Sequence, residues 1–101
     1  MLLYEKQRSS LTVRLEGDLD HGAALGLRPE LDALLMDPSV KRLVLDVSNL
    51  DFMDSSGVGF VIGRYKLMKR RGGSVAVTGA AGAVDRIFAM SGLYQIIEHL
   101  A

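Results

Sequence analysis

The middle of the chain holds two strand-like runs separated by a helix-like pattern. Leu43 to Val47 is a run of mostly branched apolar residues, which is typical of a strand covered on both faces. Apolar residues then recur at helical spacing from Val58 to Met68, and Gly72-Gly73 ends that pattern. Ser74 to Thr78 is predicted to be another buried strand. Strands joined through a helix usually lie parallel in one sheet with a right-handed crossover, so an α/β fold is predicted.

The segments before this unit extend the same pattern. Residues 11–15 alternate apolar and polar side chains, which predicts a strand that ends at Gly17-Asp18, and residues 2–6 are expected to pair beside it. A helical face leads up to Leu35. Pro29 is expected either to kink this helix or to open a shorter one, since an interior proline costs about 3 kcal/mol.

The segments after it complete the fold. Val84, Ile87 and Phe88 predict a third helix, and residues 96–100 predict a terminal strand. The resulting order is β-β-α-β-α-β-α-β with a mostly parallel sheet of about five strands. Basic residues near the end of the second helix are interpreted as its solvated face and last turn: Lys66, Lys69, Arg70 and Arg71.

Composition limits the functions that such a chain can have. Its 101 residues, 49% of them apolar, fit one globular domain over residues 1–101. Twelve basic and twelve acidic side chains cancel, so no nucleic-acid or membrane partner is expected. Cysteine is absent, which excludes disulfides and thiolate metal sites. The chain starts without a signal-peptide pattern, and no apolar run approaches the roughly 20 residues that span a bilayer, so a cytoplasmic location is expected.

Asp54-Ser55-Ser56-Gly57 lies at the predicted junction between a strand and a helix. Free backbone N–H groups and the positive end of the helix dipole gather there, so a serine at this point can accept a phosphate. The same residues also fit an ordinary helix N-cap, worth about 1 kcal/mol, with no further function. Spacing alone does not choose between these interpretations, or between Ser55 and Ser56 as the acceptor.

Other chemistries at this junction lack their sequence requirements. Gly57, Gly59 and Gly63 do not have the spacing of a dinucleotide-binding loop, and no acidic residue follows the next strand to hold a ribose. The two serines have no histidine base at a motif spacing and no G-x-S-x-G setting, so hydrolysis is unsupported. No cofactor is expected.

Two further kinds of site concern residues elsewhere in the chain: a phosphorylated aspartate and a histidine metal site. Asp46 suggests a receiver domain that is phosphorylated on aspartate, but the adjacent acidic pair that would hold Mg²⁺ is missing. Asp46 is therefore interpreted as a turn or strand-end residue. His21 and His99 lack companions for a metal site, and His21 beside Asp20 is interpreted as a loop residue.

Residues 49–59, with the sequence NLDFMDSSGVG, and Gly63-Arg64-Tyr65-Lys66 resemble the anti-sigma factor antagonists of the STAS family, in particular its sporulation members. Agreement extends to residues 17–21 and 90–97, so the resemblance covers essentially the whole chain. It implies a single STAS domain that is not an enzyme. Gly22-Ala23-Ala24 departs from the polar continuation usual in the sporulation members, which implies a binding face suited to a different kinase partner.

The resemblance also implies how the protein works. Family members bind an anti-sigma factor that is itself a serine kinase of the GHKL type, release the sigma factor, and are inactivated when that kinase phosphorylates them. A PP2C-type phosphatase reverses the modification. The acceptor serine directly after the aspartate maps onto Ser55, and Asp20 maps onto an aspartate near it. The expected partner-binding residues are Asp20, His21, Asp54, Ser55, Ser56, Gly57 and Gly59. A non-phosphorylated scaffold or transporter subunit remains the alternative within the family.

Overall fold

The computed structural model describes residues 2–100 as five strands and three helices in the predicted order. The elements are β1 (Leu3–Gln7), β2 (Ser10–Leu19), α1 (His21–Leu35), β3 (Arg42–Met53), α2 (Ser55–Arg70), β4 (Ser74–Thr78), α3 (Gly82–Met90), a 3₁₀ turn (Leu93–Gln95) and β5 (Glu98–His99). The α/β fold class is confirmed. Between residues 2 and 100, no helix combines the length and apolarity needed to cross a membrane.

The five strands form one sheet in the order β1-β2-β3-β4-β5. Only β1 and β2 are antiparallel, and each later strand adds in parallel to the one before it. Because successive right-handed crossovers then all step in one direction, the three helices cover the same face of the sheet. The strand residues buried on that face are Leu11, Val13, Leu15, Leu43, Leu45, Val47, Val75 and Val77.

Strand β2 does not end at Gly17-Asp18 but continues to Leu19. Its partner β3 has two register shifts, one between the pairs Arg14↔Asp46 and Glu16↔Asn49 and one between Gly17↔Leu50 and Asp18↔Phe52. Each shift inserts one extra residue into β3 and so interrupts the period-two alternation of its side chains. The ends of β2 and β3 therefore cannot be predicted from alternation alone. The two insertions bring Leu19 and Met53 into register as partners.

Asp46 lies inside β3, so its interpretation as a strand-end residue is wrong. Its Oδ1 atom accepts hydrogen bonds from the backbone N–H and the hydroxyl of Ser48, at 3.0 and 2.7 Å, at the first register shift. Burial alone would raise the pKa of Asp46, but the bonds from Ser48 and the charge of Arg14, 3.6 Å away, outweigh it, and the pKa lies below its usual value. Asp46 thus forms a turn-like bridge within a strand.

Helix α1 runs through Pro29, so this proline does not open a shorter helix. Leu31 and Leu35, beyond the proline, are fully buried and hold the second half of the helix against the core. The end of α1 is fixed by Arg71, which was expected to be solvated. Its guanidinium donates to the carbonyl oxygens of Leu35, Asp37 and Val40, the last two at 2.7 and 3.1 Å.

The terminal strand is shorter than the predicted residues 96–100. Leu93 and Ile97 are both buried, and their spacing of four residues suits a helical turn rather than an extended chain. The ring of Tyr94 stacks on that of His99 with centroids 4.0 Å apart, and its hydroxyl donates to Asp85 at 2.6 Å. Pairing with β4 is therefore confined to Glu98 and His99.

Candidate functional site

Two helices begin side by side at one edge of the sheet. Leu19 and Met53 are register partners on the parallel strands β2 and β3, and each is the last residue of its strand. Asp20 and Asp54 follow directly and are the N-caps of α1 and α2. The backbone N–H of Asp54 also donates to the carbonyl oxygen of Leu19 at 3.4 Å. The partner-binding residues inferred from the resemblance therefore come from both helix starts and meet in space.

Asp54 is the residue that caps α2. Its backbone is extended, with φ −111° and ψ −168°, and its Oδ1 atom accepts from the N–H groups of Ser56 and Gly57 at 2.9 and 3.1 Å. Asp20 caps α1 in the same way through the N–H of Ala23 at 2.9 Å. Because the carboxylate performs the capping, neither serine hydroxyl is needed for it. The N-cap interpretation of this motif is thus confirmed for Asp54, and it leaves both serines free for another role.

The two serines differ in their surroundings. Ser56 is half-buried, and its hydroxyl lies 3.4 Å from Nδ1 of His21. Ser55, the first residue of α2, is exposed, and its hydroxyl makes no hydrogen bond within residues 2–100. His21 is the first residue of α1 rather than a loop residue, which is a correction to the sequence interpretation. Its position there lets it join the start of α1 to the start of α2.

Gly57 and Gly59 occupy opposite environments although both were assigned to the partner surface. Gly57 is buried, and a Cβ atom placed on it would lie 2.6 Å from the carbonyl oxygen of Leu19. Gly59 is exposed, and a Cβ atom placed on it would meet nothing within 4 Å. Gly57 therefore allows α2 to start close to β2. Gly59 leaves the exposed face of α2 without a side chain one turn from Ser55.

A groove of about 240 Å³ opens between the first turns of α1 and α2. Both helices contribute to its lining: His21, Ala24, Leu25 and Arg28 from α1, and Ser56, Gly59 and Phe60 from α2. Nothing in the sequence interpretation assigned Leu25, Arg28 or Phe60 to a site. Leu25 is 58% exposed, and an apolar side chain in that position breaks the helical pattern of a buried face, which is the signal that could have identified it.

Arg64 is a second feature that the sequence interpretation did not place. It lies on the inner side of α2 and is only 7% exposed. Its Nε atom is 3.0 Å from Oδ1 of Asp32 on α1, an ion pair without the alignment of a hydrogen bond, and its guanidinium carbon lies 5.1 Å from the ring centre of Phe60. Burial lowers the pKa of Arg64, and Asp32 partly opposes that effect.

Over residues 2–100, no group of three or more histidine, cysteine, aspartate or glutamate side chains is arranged to hold a metal ion. Asp46, the candidate for aspartate phosphorylation, lies in mid-strand and is occupied by Ser48 and Arg14. The cluster of helix starts around Ser55 is therefore the strongest candidate site in the described chain.

Comparison with known proteins identifies what this arrangement is similar to. The family model described as the STAS domain matches residues 2–101. An anti-sigma F factor antagonist from Paenibacillus polymyxa is 42% identical over 93 residues, which is 92% of this chain and 80% of that relative.

Two solved structures of the anti-sigma factor antagonist SpoIIAA also match the fold. The unphosphorylated form is 25% identical with a TM-score of 0.77, and the match covers all of this chain and 88% of that one. The phosphorylated form, from Bacillus, is 27% identical with a TM-score of 0.77, and the match covers all of this chain and 92% of that one.

Proposed function

This chain belongs to the STAS domain family, with anti-sigma factor antagonists among its relatives, and we propose that phosphorylation of Ser55 switches its binding to an anti-sigma factor. In the unphosphorylated state it binds an anti-sigma factor that is a serine kinase of the GHKL type, and the sigma factor is released. Phosphorylation by that kinase ends the contact, and a PP2C-type phosphatase restores it. The protein is itself no enzyme, acts as one domain over residues 1–101, and works in the cytoplasm.

The exposed hydroxyl of Ser55 is the observation that carries this proposal. Ser55 is the first residue of α2, and its hydroxyl does not cap the helix because Asp54 is the N-cap. Phosphoryl transfer depends mainly on placing the acceptor oxygen in line with the γ-phosphate and on stabilising charge. The kinase supplies ATP, Mg²⁺ and the catalytic base, while this chain presents an exposed serine at the start of a helix.

Ser56 is a poorer acceptor than Ser55. The residue is half-buried, its hydroxyl lies beside His21, and its backbone N–H is already bonded to Asp54. An attacking oxygen must reach the phosphorus atom in a defined direction, and the contact with His21 holds the hydroxyl of Ser56 toward α1, whereas the hydroxyl of Ser55 has no such contact within residues 2–100. The difference in surroundings supports the choice of Ser55 that the family resemblance implies.

The phosphate would change the charge of the site without changing the fold. A phosphoserine carries about −1.5 to −2 charges, and the N-terminus of a helix tolerates such a group. Asp54 and Asp20 already place two carboxylates at the same edge of the sheet. A partner surface matched to a neutral hydroxyl would then face a concentrated negative charge, and juxtaposed like charges at an interface cost several kcal/mol.

The remaining assigned residues divide by role. Asp20 and Asp54 cap the two helices, and Gly57 allows the start of α2 to lie close to β2. His21, Ser56 and Gly59 line the groove and form the surface that the partner touches. This division predicts that substitutions at Gly57 act through stability, whereas substitutions at Gly59 act through binding.

Phosphate mapping tests the proposal directly. The wild-type protein is mixed with its cognate anti-sigma kinase and ATP, and the modified residue is located by mass spectrometry. The expected result is one phosphate on Ser55, retained in Ser56→Ala and lost in Ser55→Ala. Phosphate remaining on Ser55→Ala would overturn the assignment. Absence of phosphate on the wild type, with capture of a transporter subunit instead of a kinase, would favour the scaffold alternative.

A further inference from the structure

A partly buried cluster joins α1 to α2 next to the groove. Arg64 from α2 lies between Asp32 of α1, at 3.0 Å, and the ring of Phe60, at 5.1 Å. Phe60 is itself almost fully buried, yet it also lines the groove together with His21 and Ser56. The cluster therefore contacts the groove through one aromatic ring.

Asp32 and Arg64 lie at similar distances from the starts of their helices. Asp32 is eleven residues from His21, and Arg64 is nine from Ser55, which corresponds to about 16 Å and about 14 Å of helix. Phe60 lies one turn beyond Ser56, and Arg64 lies one further turn beyond Phe60. A change at Arg64 can thus shift the ring of Phe60 and the angle between the helix starts together.

The ion pair is a poor source of stability. Within the described residues, Nη1 of Arg64 has no hydrogen-bond partner, and the Nε to Oδ1 contact is not aligned as a hydrogen bond. The side chain of Arg64 is 8% exposed and that of Asp32 is 35% exposed, so the pair is buried on the arginine side. Removing a guanidinium from water is costly, and apolar residues of similar volume often replace such a pair without loss of stability. A charged guanidinium kept in this position therefore points to a requirement for geometry.

We propose that Arg64 is a positioning residue for the partner surface, which it maintains by holding Asp32 of α1 and the ring of Phe60 in fixed relation to the start of α2. The proposal rests on the proposed function, because it assumes that the groove beside Ser55 meets the anti-sigma factor. Arg64 is not itself part of the groove lining; it acts through Asp32 and through Phe60, the one lining residue that it contacts.

The test uses the double variant Arg64→Met with Asp32→Leu, which replaces the ion pair by apolar side chains. Its stability is expected to stay near that of the wild type. Backbone amide NMR shifts at His21, Ser55 and Ser56 are expected to move, and affinity for the cognate anti-sigma kinase is expected to fall about tenfold, as coupling through packed residues commonly allows. If Arg64 and Asp32 only stabilised the fold, a double variant as stable as the wild type would show the wild-type amide shifts and the wild-type affinity.

The control removes a different and more exposed ion pair. Arg42 pairs with Glu98 at 3.0 Å, and Arg42 begins β3 whereas Ser55 follows its end. The double variant Arg42→Met with Glu98→Leu is expected to leave the amide shifts at Ser55 and Ser56 and the affinity unchanged. A loss of affinity in this control equal to that of the first double variant would overturn the proposal.

The NMR measurement separates this proposal from the proposed function because it needs no partner. Unchanged shifts at His21, Ser55 and Ser56 in a folded Arg64→Met, Asp32→Leu variant would overturn the positioning role, whatever the wild type binds. Should that variant not fold, Arg64→Lys keeps the charge beside Asp32 but loses the planar group over Phe60. It is expected to move the same three shifts, and unchanged shifts there would overturn the proposal as well.

Discussion

A Cβ atom on Gly57 would lie 2.6 Å from the carbonyl oxygen of Leu19, closer than real Cβ contacts come. The neighbouring atom is backbone, so the sheet or the helix must move to admit it. Gly57→Ala is expected to lower the free energy of unfolding by about 1–3 kcal/mol, the usual cost of overpacking. Urea denaturation measures the change.

The control for this substitution is Gly63→Ala in the same helix. A Cβ atom there would meet nothing within 4 Å, and alanine is expected to raise the free energy of unfolding by about 0.5–1 kcal/mol. If Gly57→Ala proved as stable as Gly63→Ala, the close approach of α2 to β2 would be refuted.

Gly59→Ala is expected to separate binding from stability. The added methyl group meets no atom of the chain and favours the helix, so unfolding should require about 0.5–1 kcal/mol more. Affinity for the anti-sigma kinase is nevertheless expected to fall about tenfold, since one methyl group placed in a packed interface costs roughly 1–3 kcal/mol. Calorimetric titration compares this variant with Gly63→Ala, which should bind like the wild type. Equal affinities for the two variants would remove Gly59 from the partner surface.

Asp54 is predicted to stabilise α2 mainly through its capping oxygen and less through its negative charge. Asp54→Ala removes the acceptor for Ser56 and Gly57 and is expected to cost about 1 kcal/mol, whereas Asp54→Asn retains a capping oxygen and should cost little. Thermal unfolding of both variants at neutral pH measures the difference. Equal destabilisation by asparagine and alanine would show that the negative charge, and not the capping oxygen, stabilises α2.

Asp46 makes stability depend on pH in the acid range. Its folded-state pKa lies below the ordinary value of about 3.9, so its contribution is complete above that value and disappears as pH falls through the folded pKa. Asp46→Asn is expected to be about 1 kcal/mol less stable than the wild type at pH 7, with the gap closing below about pH 4. Denaturant unfolding between pH 2 and 7 checks this, and a gap that widened in acid would contradict the sign.

Local patterns along the chain predicted the fold because each element carries its own signal. The Val58 to Met68 repeat and the apolar runs of β3 and β4 were sufficient for the α/β order. The strand ends were not predictable, since the two register shifts in β3 depend on pairing with β2 and on the Asp46 to Ser48 bridge. Such long-range pairing leaves no local period to detect.

The site was predictable only where a local motif marks it. The Asp-Ser-Ser-Gly motif marked a helix start, and the structure shows Asp54 as its cap. Nothing local indicated that Ser56 would face His21, because their contact spans 35 positions of the chain. The burial of Arg64 was likewise hidden, since an arginine among lysines is typical of a solvated helix face.

The proposed switch depends on the charge carried at Ser55. Its hydroxyl is exposed at the start of α2 beside the carboxylate of Asp54, so a phosphate there would present several negative charges to a partner. Like charges across an interface cost several kcal/mol, and each 1.4 kcal/mol is about tenfold in Kd. Ser55→Ala, which removes the acceptor but adds no charge, should bind the anti-sigma kinase as the wild type does.

The most direct measurement is a calorimetric titration of the cognate anti-sigma kinase with the protein in its unphosphorylated form and in a form phosphorylated on Ser55. The predicted result is that phosphorylation raises the Kd by about 100-fold or more, from the interfacial charge penalty above. Equal Kd values for the two forms would contradict the proposed switch.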